Sequence, residues 1–192
     1  MLCPWCYVAA VRIRRVEAEA GDALRVEWRS FMLRPQPEAR SLEKFRRYAR
    51  SWARPAAAEP DAAFNLWSSD AAPPSHSLPP LVATKVAASF GDDAFAKYHH
   101  ALFRAYFVDN RTVSDSSVLR EVAAGVGLDG AEFATRFERD NGEYAAAVVA
   151  DHRAALAEGI AAVPSLMVDH EHVLTGALAT DAYRRIVARR SG

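Results

Sequence analysis

The spacing of hydrophobic residues divides the 192-residue chain into three parts. Apolar positions at helical spacing predict a helix over residues 7–20, and alternating apolar and polar positions over residues 24–31 predict a strand. Residues 38–158 then show mostly helical patterns, interrupted at residues 54–80 by a stretch rich in Ala, Pro and Ser. The pattern therefore predicts a helix and a strand followed by a helical block.

Separate helices are expected within that block. Ser41 is a candidate helix cap, although Lys44 stands where a complete capping box has Glu or Gln. Asp115 follows Ser114 at the start of another apolar periodicity, which predicts a second capped helix. The further helices are predicted at residues 81–90, 92–108, 129–139 and 143–158.

The pattern changes again after Gly159. Two short apolar runs, Ser165–Val168 and His172–Thr175, are separated by a turn at residues 169–171 and predict a β-hairpin. A terminal helix is predicted over Thr180–Arg190, with an acidic residue in its first turn and arginines toward its end, as the helix dipole favours.

Composition and charge exclude several classes of protein. The chain has 24 basic and 24 acidic residues, which argues against a broad electrostatic nucleic-acid binder. No apolar run reaches the ~18 residues that a membrane span needs. Two cysteines cannot build a disulfide-dense secreted scaffold or a four-cysteine zinc site. The first residues lack the features of a secretory signal, so we expect a cytoplasmic location.

The two cysteines form a Cys3-Pro4-Trp5-Cys6 motif directly before the first predicted helix. Unpaired N–H groups and the dipole at a helix N-terminus stabilise a thiolate, so we expect an exposed Cys3 sulfur with a lowered pKa. Cys6 lies one turn further on the same face, where the pair can switch between dithiol and disulfide. An inert pair or half of a shared metal site is the alternative interpretation, but the context favours a redox pair.

Three other residues are candidates for binding a substrate. Trp5 is expected to be exposed beside the cysteines, where it offers an apolar contact to a partner chain. Pro164 opens the apolar run of the first hairpin strand, a position that tolerates proline. A cis bond between Val163 and Pro164 would place a tight loop opposite the cysteines, with the Val163 backbone able to pair with an extended substrate.

The six histidines show no metal-ligand pattern. His99 and His100 are adjacent and point to different helix faces, while His170 and His172 have no nearby cysteine or carboxylate pattern. His152 is expected at the surface. We predict no metal site.

Several stretches together resemble the DsbA family, and more narrowly its cytoplasmic FrnE-like branch. That branch is similar in fold to 2-hydroxychromene-2-carboxylate isomerase and kappa-class glutathione transferase. The stretches are Cys3-Pro4-Trp5-Cys6-Tyr7, Trp28-Arg29-Ser30-Phe31 with Leu33-Arg34-Pro35, residues 100–107, Val163-Pro164-Ser165, and Gly176-Ala177.

The resemblance implies an α/β, thioredoxin-like fold with a large helical insertion. Residues 1–34 and 159–192 would form the thioredoxin-like part, and residues 35–158 the insertion. Cys3 would be the nucleophile, Cys6 the resolving cysteine and Pro164 the cis-proline. The family has a strand before its CxxC motif where this chain has two residues, so we expect the first strand to be missing and attribute this to a misassigned start. Small residues, Ala162 and Ser165, replace the usual Gly or Thr near that proline.

The resemblance also implies the activity. The leading hypothesis is a protein-disulfide oxidoreductase that exchanges disulfides with protein or small thiol substrates. It would need no cofactor, and glutathione is a candidate electron partner. The alternative on the same fold is a glutathione-dependent isomerase or transferase, against which Cys6 argues because a lone nucleophile would suffice. A third hypothesis is a non-catalytic binding or chaperone module.

Overall fold

Helices dominate the part of the chain that the computed structural model describes, which is residues 1–139, 141–169 and 171–190. The elements in chain order are α1 (Pro4–Ala20), α2 (Leu42–Ala49), α3 (Ala53–Ala58), α4 (Leu78–Ala88), α5 (Asp92–Phe107), α6 (Ser116–Gly125), α7 (Gly130–Arg139), α8 (Asn141–Ala157), β1 (Ser165–Val168), β2 (His172–Thr175) and α9 (Thr180–Arg190). Short 3₁₀ turns follow α1 and α2.

Helix α1 begins three residues earlier than predicted. Proline has no N–H to satisfy and a φ suited to a helix, so Pro4 fits the first helical position. The helix ends at Gly21, whose φ of 53° lies in the left-handed region and whose N–H donates to the carbonyl of Glu17. This early start brings the whole cysteine motif into the first helical turn and its cap.

Side-chain caps begin two helices of the block. The Ser41 hydroxyl accepts from the N–H of Lys44 at the start of α2, and the Asp115 carboxylate accepts from the N–H of Ser117 at the start of α6. Both predicted caps are confirmed. The stretch expected to be broken contains α3, and α4 begins at Leu78, three residues before its predicted start.

The C-terminal hairpin has the predicted strands. β1 and β2 pair antiparallel, with Ser165 opposite Thr175 and Val168 opposite His172. The predicted turn between them includes His170, which lies outside the described residues. Helix α9 then packs against α1.

The predicted strand at residues 24–31 is wrong. The segment carries the expected alternation, with Leu24, Val26 and Trp28 half-buried between exposed neighbours. It forms no ladder, because a strand needs a hydrogen-bonded neighbour and, within the described residues, β1 and β2 pair only with each other.

Side chains of α8 hold this extended segment instead. The Asp151 carboxylate accepts from the Ser30 N–H at 2.9 Å and pairs with Lys85 of α4 at 2.7 Å. His152 accepts from the Met32 N–H at 3.3 Å, with its ring edge-on to Phe31. His152 is therefore half-buried and structural, which corrects the expectation that it lies at the surface.

An aromatic core joins the cysteine-bearing helix to the helical block. Tyr7 of α1 stacks on Phe103 and Phe107 of α5, with ring centroids 5.1 and 5.8 Å apart. Trp52 meets Phe107 edge-on at 4.9 Å. The division into residues 1–34, 35–158 and 159–192 stays a prediction, but this packing fixes the start of α1 against α5.

Candidate active site

Cys3 caps α1. Its sulfur accepts a hydrogen bond from the Cys6 N–H at 3.3 Å, and its carbonyl accepts from the N–H groups of Cys6 and Tyr7 at 3.1 and 3.4 Å. Both cysteines are free thiols. The N–H groups of Trp5 and Cys6 in the first turn thus favour the Cys3 thiolate.

The pKa values of the two thiols are shifted in opposite directions. A hydrogen bond from the Cys6 thiol lowers the pKa of Cys3 from its ordinary 9.0 to about 7, and outweighs the burial that raises it. The same hydrogen bond, together with burial, raises the pKa of Cys6. Near neutral pH, Cys3 is therefore the sulfur that carries the charge, and Cys6 the sulfur that keeps its proton.

A proline loop faces Cys3 from the other end of the chain. The Val163–Pro164 peptide bond is cis, as the sequence analysis considered. The Cys3 thiol lies 3.5 Å from the carbonyl oxygen of Val163. The Gly176 N–H donates to the Pro164 carbonyl at 2.8 Å, and the Ser165 hydroxyl donates to the Ala162 carbonyl at 2.7 Å. The hairpin thereby holds the loop beside the cysteines.

The expectation of an exposed Cys3 sulfur is wrong. Cys3 is 8% exposed, because its side chain lies against the Val163 carbonyl as well as at the cap of α1. Trp5 is 37% exposed, as expected, and is the apolar surface that the motif presents to solvent.

Two residues of the site were missed by the sequence analysis. Tyr48 of α2 is 41% exposed, and the pKa of its phenol is raised by burial of part of the ring and by the charge of Cys3. The Arg40 guanidinium lies 4.4 Å from the ring centre of Phe45 and 5.5 Å from that of Tyr48. Among the described residues, no carboxylate lies within ion-pair distance of Arg40. The amphipathic pattern of α2 places Tyr48 at the edge of its buried face, but nothing local indicates that its phenol lies within range of the Cys3 charge.

Comparison with known proteins identifies the family. Residues 1–188 match the family described as the DSBA-like thioredoxin domain. The chain belongs to the DSBA-like thioredoxin domain family.

Individual proteins are similar to this chain over almost its whole length. The Bacillus subtilis protein YwbO is 27% identical, over 97% of this chain and 92% of that protein. A structure described as a probable DsbA oxidoreductase from Streptomyces coelicolor is 28% identical with a TM-score of 0.75, covering 99% of this chain and 86% of that one. The cytosolic disulfide reductase DsbM from Pseudomonas aeruginosa with glutathione is 22% identical with a TM-score of 0.73, covering 99% and 93%.

The family assignment decides some expectations and leaves others open. The DsbA-family resemblance, the thioredoxin-like fold with a helical insertion and the DsbA-like enzyme class are confirmed. Membership of the FrnE-like branch stays a prediction. The roles of Cys3 and Cys6 in catalysis, and of Pro4, Trp5 and the Val163–Pro164 loop in substrate binding, also stay predictions.

A buried arginine links the cysteine-bearing helix of this DSBA-like site to the segment after the hairpin. Arg12 of α1 is 9% exposed and pairs with Glu59 at 3.0 Å. It also donates to the carbonyls of Ala177 and Leu178 at 3.3 and 3.0 Å and to that of Ala58. Arg12 thus fixes the segment after the hairpin, and with it the proline loop, against the helix that carries the cysteines.

Neither a metal nor a membrane segment is evident in the residues described. No group of three or more His, Cys, Asp or Glu side chains there could hold a metal ion. Of the helices in that part of the chain, none has the length and apolarity to cross a membrane.

Proposed function

We propose that this protein is a thiol–disulfide oxidoreductase that reduces disulfides, with Cys3 as the nucleophile and Cys6 as the resolving cysteine. The observation that carries the proposal is the pairing of a Cys3 thiol of pKa about 7 with a Cys6 thiol of raised pKa, one turn apart at a helix N-terminus. This is the arrangement that dithiol–disulfide exchange requires.

Two displacements complete the reaction. The Cys3 thiolate attacks a substrate disulfide, forms a mixed disulfide and expels the first substrate thiolate. Cys6 then loses its proton to that leaving thiolate and attacks the Cys3 sulfur, which closes the Cys3–Cys6 disulfide and releases the second substrate thiol. Two electrons pass from the enzyme dithiol to the substrate, and two molecules of an external thiol restore the dithiol.

The acidity of Cys3 favours the reducing direction. A strongly stabilised thiolate, with a pKa near 3.5, makes a dithiol a poor reductant, whereas thioredoxin works as a reductant with a pKa near 7. The pKa of Cys3, about 7, matches the second case. An attacking thiol is also most effective when its pKa lies near the ambient pH.

Glutathione is the external thiol that the surroundings fit best. Arg40 has no carboxylate partner within the described residues, and its guanidinium lies 5.5 Å from the ring centre of Tyr48. The charge of Cys3 contributes to the raised pKa of the Tyr48 phenol. We assign Arg40 to bind a carboxylate of glutathione while its sulfur meets Cys3. The similarly folded DsbM, described as a cytosolic disulfide reductase and solved with glutathione, supports both this partner and a cytoplasmic location.

Protein disulfides are the second substrate class in this proposal. Exposed Trp5 and half-buried Pro4 offer an apolar surface at the rim of the motif, and the Val163–Pro164 loop provides main-chain groups for an extended chain. Neither nucleic acid nor a membrane has a place in the reaction.

A glutathione-dependent isomerase or transferase is the second candidate, because the Arg40–Tyr48 pair would serve it equally. Such an enzyme activates glutathione without cycling two protein thiols, so it does not need Cys6.

Glutathione-dependent reduction of hydroxyethyl disulfide by single-cysteine variants tests the proposal. We expect Cys3→Ser to abolish reduction and Cys6→Ser to accumulate a glutathione adduct on Cys3, visible as a mass increase. Full reductase activity in Cys3→Ser would contradict the proposal. Undiminished glutathione-dependent turnover in Cys6→Ser, with no trapped adduct, would favour the isomerase or transferase. Arg153→Gln, which changes an exposed arginine on α8, is the matched control.

A further inference from the structure

A basic groove lies between α1 and α5, away from the cysteines. Its volume is about 430 Å³. It is lined by Arg14 of α1 and by Lys97, His100 and Arg104 of α5, over an apolar floor that includes Ala101 and Val126. Arg14 follows Cys3 by eleven residues, which is about 16 Å along a helix, so the Arg14 end of the groove is distinct from the redox site, while Arg104 acts on Tyr7, the residue after Cys6.

The two arginines of the groove, Arg14 and Arg104, lack the carboxylate partners that two other arginines of α1 have. Arg12 and Arg15 pair with Glu59. Arg14 donates to the ring nitrogen Nδ1 of His99 at 3.0 Å, and its Nε is buried without a hydrogen-bond partner.

Neither Arg14 nor Arg104 has a carboxylate within ion-pair distance among the residues that the structure covers. The Glu17 carboxylate acts on the charge of Arg14, but from beyond that distance. Lys97 pairs with Asp93 at 2.6 Å, at an exposed rim where solvent screens the pair.

The positive charges of Arg14 and Arg104 both act on the His100 ring. The pKa of His100 is lowered by burial and by the charges of Arg14 and Arg104, so both guanidinium groups act on the same ring. A half-buried guanidinium without a counter-charge is unfavourable, and an anion bound between the two would relieve this while gaining charge-assisted hydrogen bonds.

We propose that this groove binds the phosphate group of a small phosphorylated ligand. Donors that approach from two helices suit a tetrahedral dianion, which presents acceptor oxygens in several directions, better than a planar carboxylate. The volume leaves room beyond the phosphate for a small organic group over the apolar floor.

Calorimetric titration of the purified chain with inorganic pyrophosphate tests the site. Citrate, at matched ionic strength, serves as the carboxylate comparator. We expect pyrophosphate to bind with a Kd below about 1 mM and citrate to bind more weakly. Arg104→Gln, at an exposed position, should weaken pyrophosphate binding at least about tenfold. Lys97→Gln is a second variant, expected to weaken binding by a smaller factor.

Arg153→Gln on α8 removes an exposed positive charge outside the groove and should leave the affinity unchanged. Circular dichroism verifies that each variant is folded. The proposal is overturned by any of three results: no pyrophosphate binding, citrate binding as tightly as pyrophosphate, or equal weakening by Arg153→Gln and Arg104→Gln. Since binding is measured without turnover, these outcomes are independent of the redox function.

Discussion

The Cys3 thiol lies 3.5 Å from the Val163 carbonyl oxygen, although 160 residues separate the two in the chain. One belongs to the cap of α1 and the other to the loop before β1, so this contact joins the first and last parts of the protein. A substrate that reaches the Cys3 sulfur must therefore approach alongside the Val163–Pro164 loop. This contact supports the proposal that the loop binds substrate backbone.

The acidity of Cys3 should depend on the hydrogen bond from Cys6. We expect Cys6→Ala to raise the pKa of Cys3 from about 7 toward its ordinary 9.0, because it removes the largest stabilising contribution. Cys6→Ser keeps an O–H donor and should raise the pKa less. The pH dependence of Cys3 alkylation by iodoacetamide measures both. Identical midpoints in the wild type and Cys6→Ala would show that Cys6 does not control the thiolate.

Arg40 should distinguish charged from uncharged disulfides. We expect Arg40→Gln to raise KM for glutathione disulfide about tenfold with little change in kcat, because a pairing made equally in ground and transition states is lost. KM for hydroxyethyl disulfide, which carries no carboxylate, should not change. Steady-state kinetics with both substrates, and with dithiothreitol in place of glutathione as the reducing thiol, provides the comparison, with Arg153→Gln as control. Equal effects on the two substrates would contradict the assignment.

The Arg12–Glu59 pair should be important for stability. Arg12→Leu leaves three main-chain carbonyls without their donor and the buried Glu59 carboxylate with Arg15 alone, and should lower the free energy of unfolding by about 2–4 kcal/mol. Arg54→Leu, on the exposed side of α3, is the matched control and should change it little. Urea unfolding measures both. If Arg12→Leu lowered the free energy of unfolding by less than about 1 kcal/mol, the pair would contribute no more than an ordinary surface ion pair.

Asp151 should make stability depend on acid pH. Burial alone would raise its pKa, but hydrogen bonds from Lys85 and the Ser30 N–H hold it below the ordinary 3.8. Between the folded and unfolded pKa values the unfolded chain binds the extra proton, so this stabilisation is complete above pH 3.8 and declines as the pH falls further.

The variant Asp151→Asn isolates that contribution. At pH 7 we expect it to be less stable than the wild type by about 2–4 kcal/mol, with the difference shrinking below about pH 3. Urea unfolding of both proteins at the two pH values measures it. A difference that stays constant would mean that Asp151 does not carry its charge in the folded protein.

Local patterns were sufficient to predict most helices and the hairpin. The caps Ser41 and Asp115 bond to N–H groups two or three residues further along the chain, and β1 is a short apolar run. Such local features can be recognised from the sequence alone. The segment at 24–31 shows the limit of this reasoning. Its alternation is real, but pairing depends on a neighbouring strand, and Asp151 and His152 of α8 hold it instead.

The candidate site was predictable only where a motif marked it. Cys3, Cys6 and Pro164 were found because their chemistry depends on spacing or on residue type. Tyr48 and Arg40 were missed, since the packing of α2 brings Tyr48 within range of the Cys3 charge and Arg40 lies on the Tyr48 ring, and no short pattern encodes this packing. The burial of Cys3 was missed for the same reason, because the Val163 carbonyl that covers it comes from the far end of the chain.

A redox titration of the purified protein in glutathione buffers shows directly whether Cys3 and Cys6 form a redox pair. Thiol labelling followed by intact-mass measurement counts the free cysteines at each potential. We expect a reversible two-electron transition between a Cys3–Cys6 disulfide and the dithiol, near the thioredoxin end of the range from about −120 to −270 mV. The absence of an intramolecular disulfide at every potential would contradict the account, because Cys3 and Cys6 would then not be a redox pair.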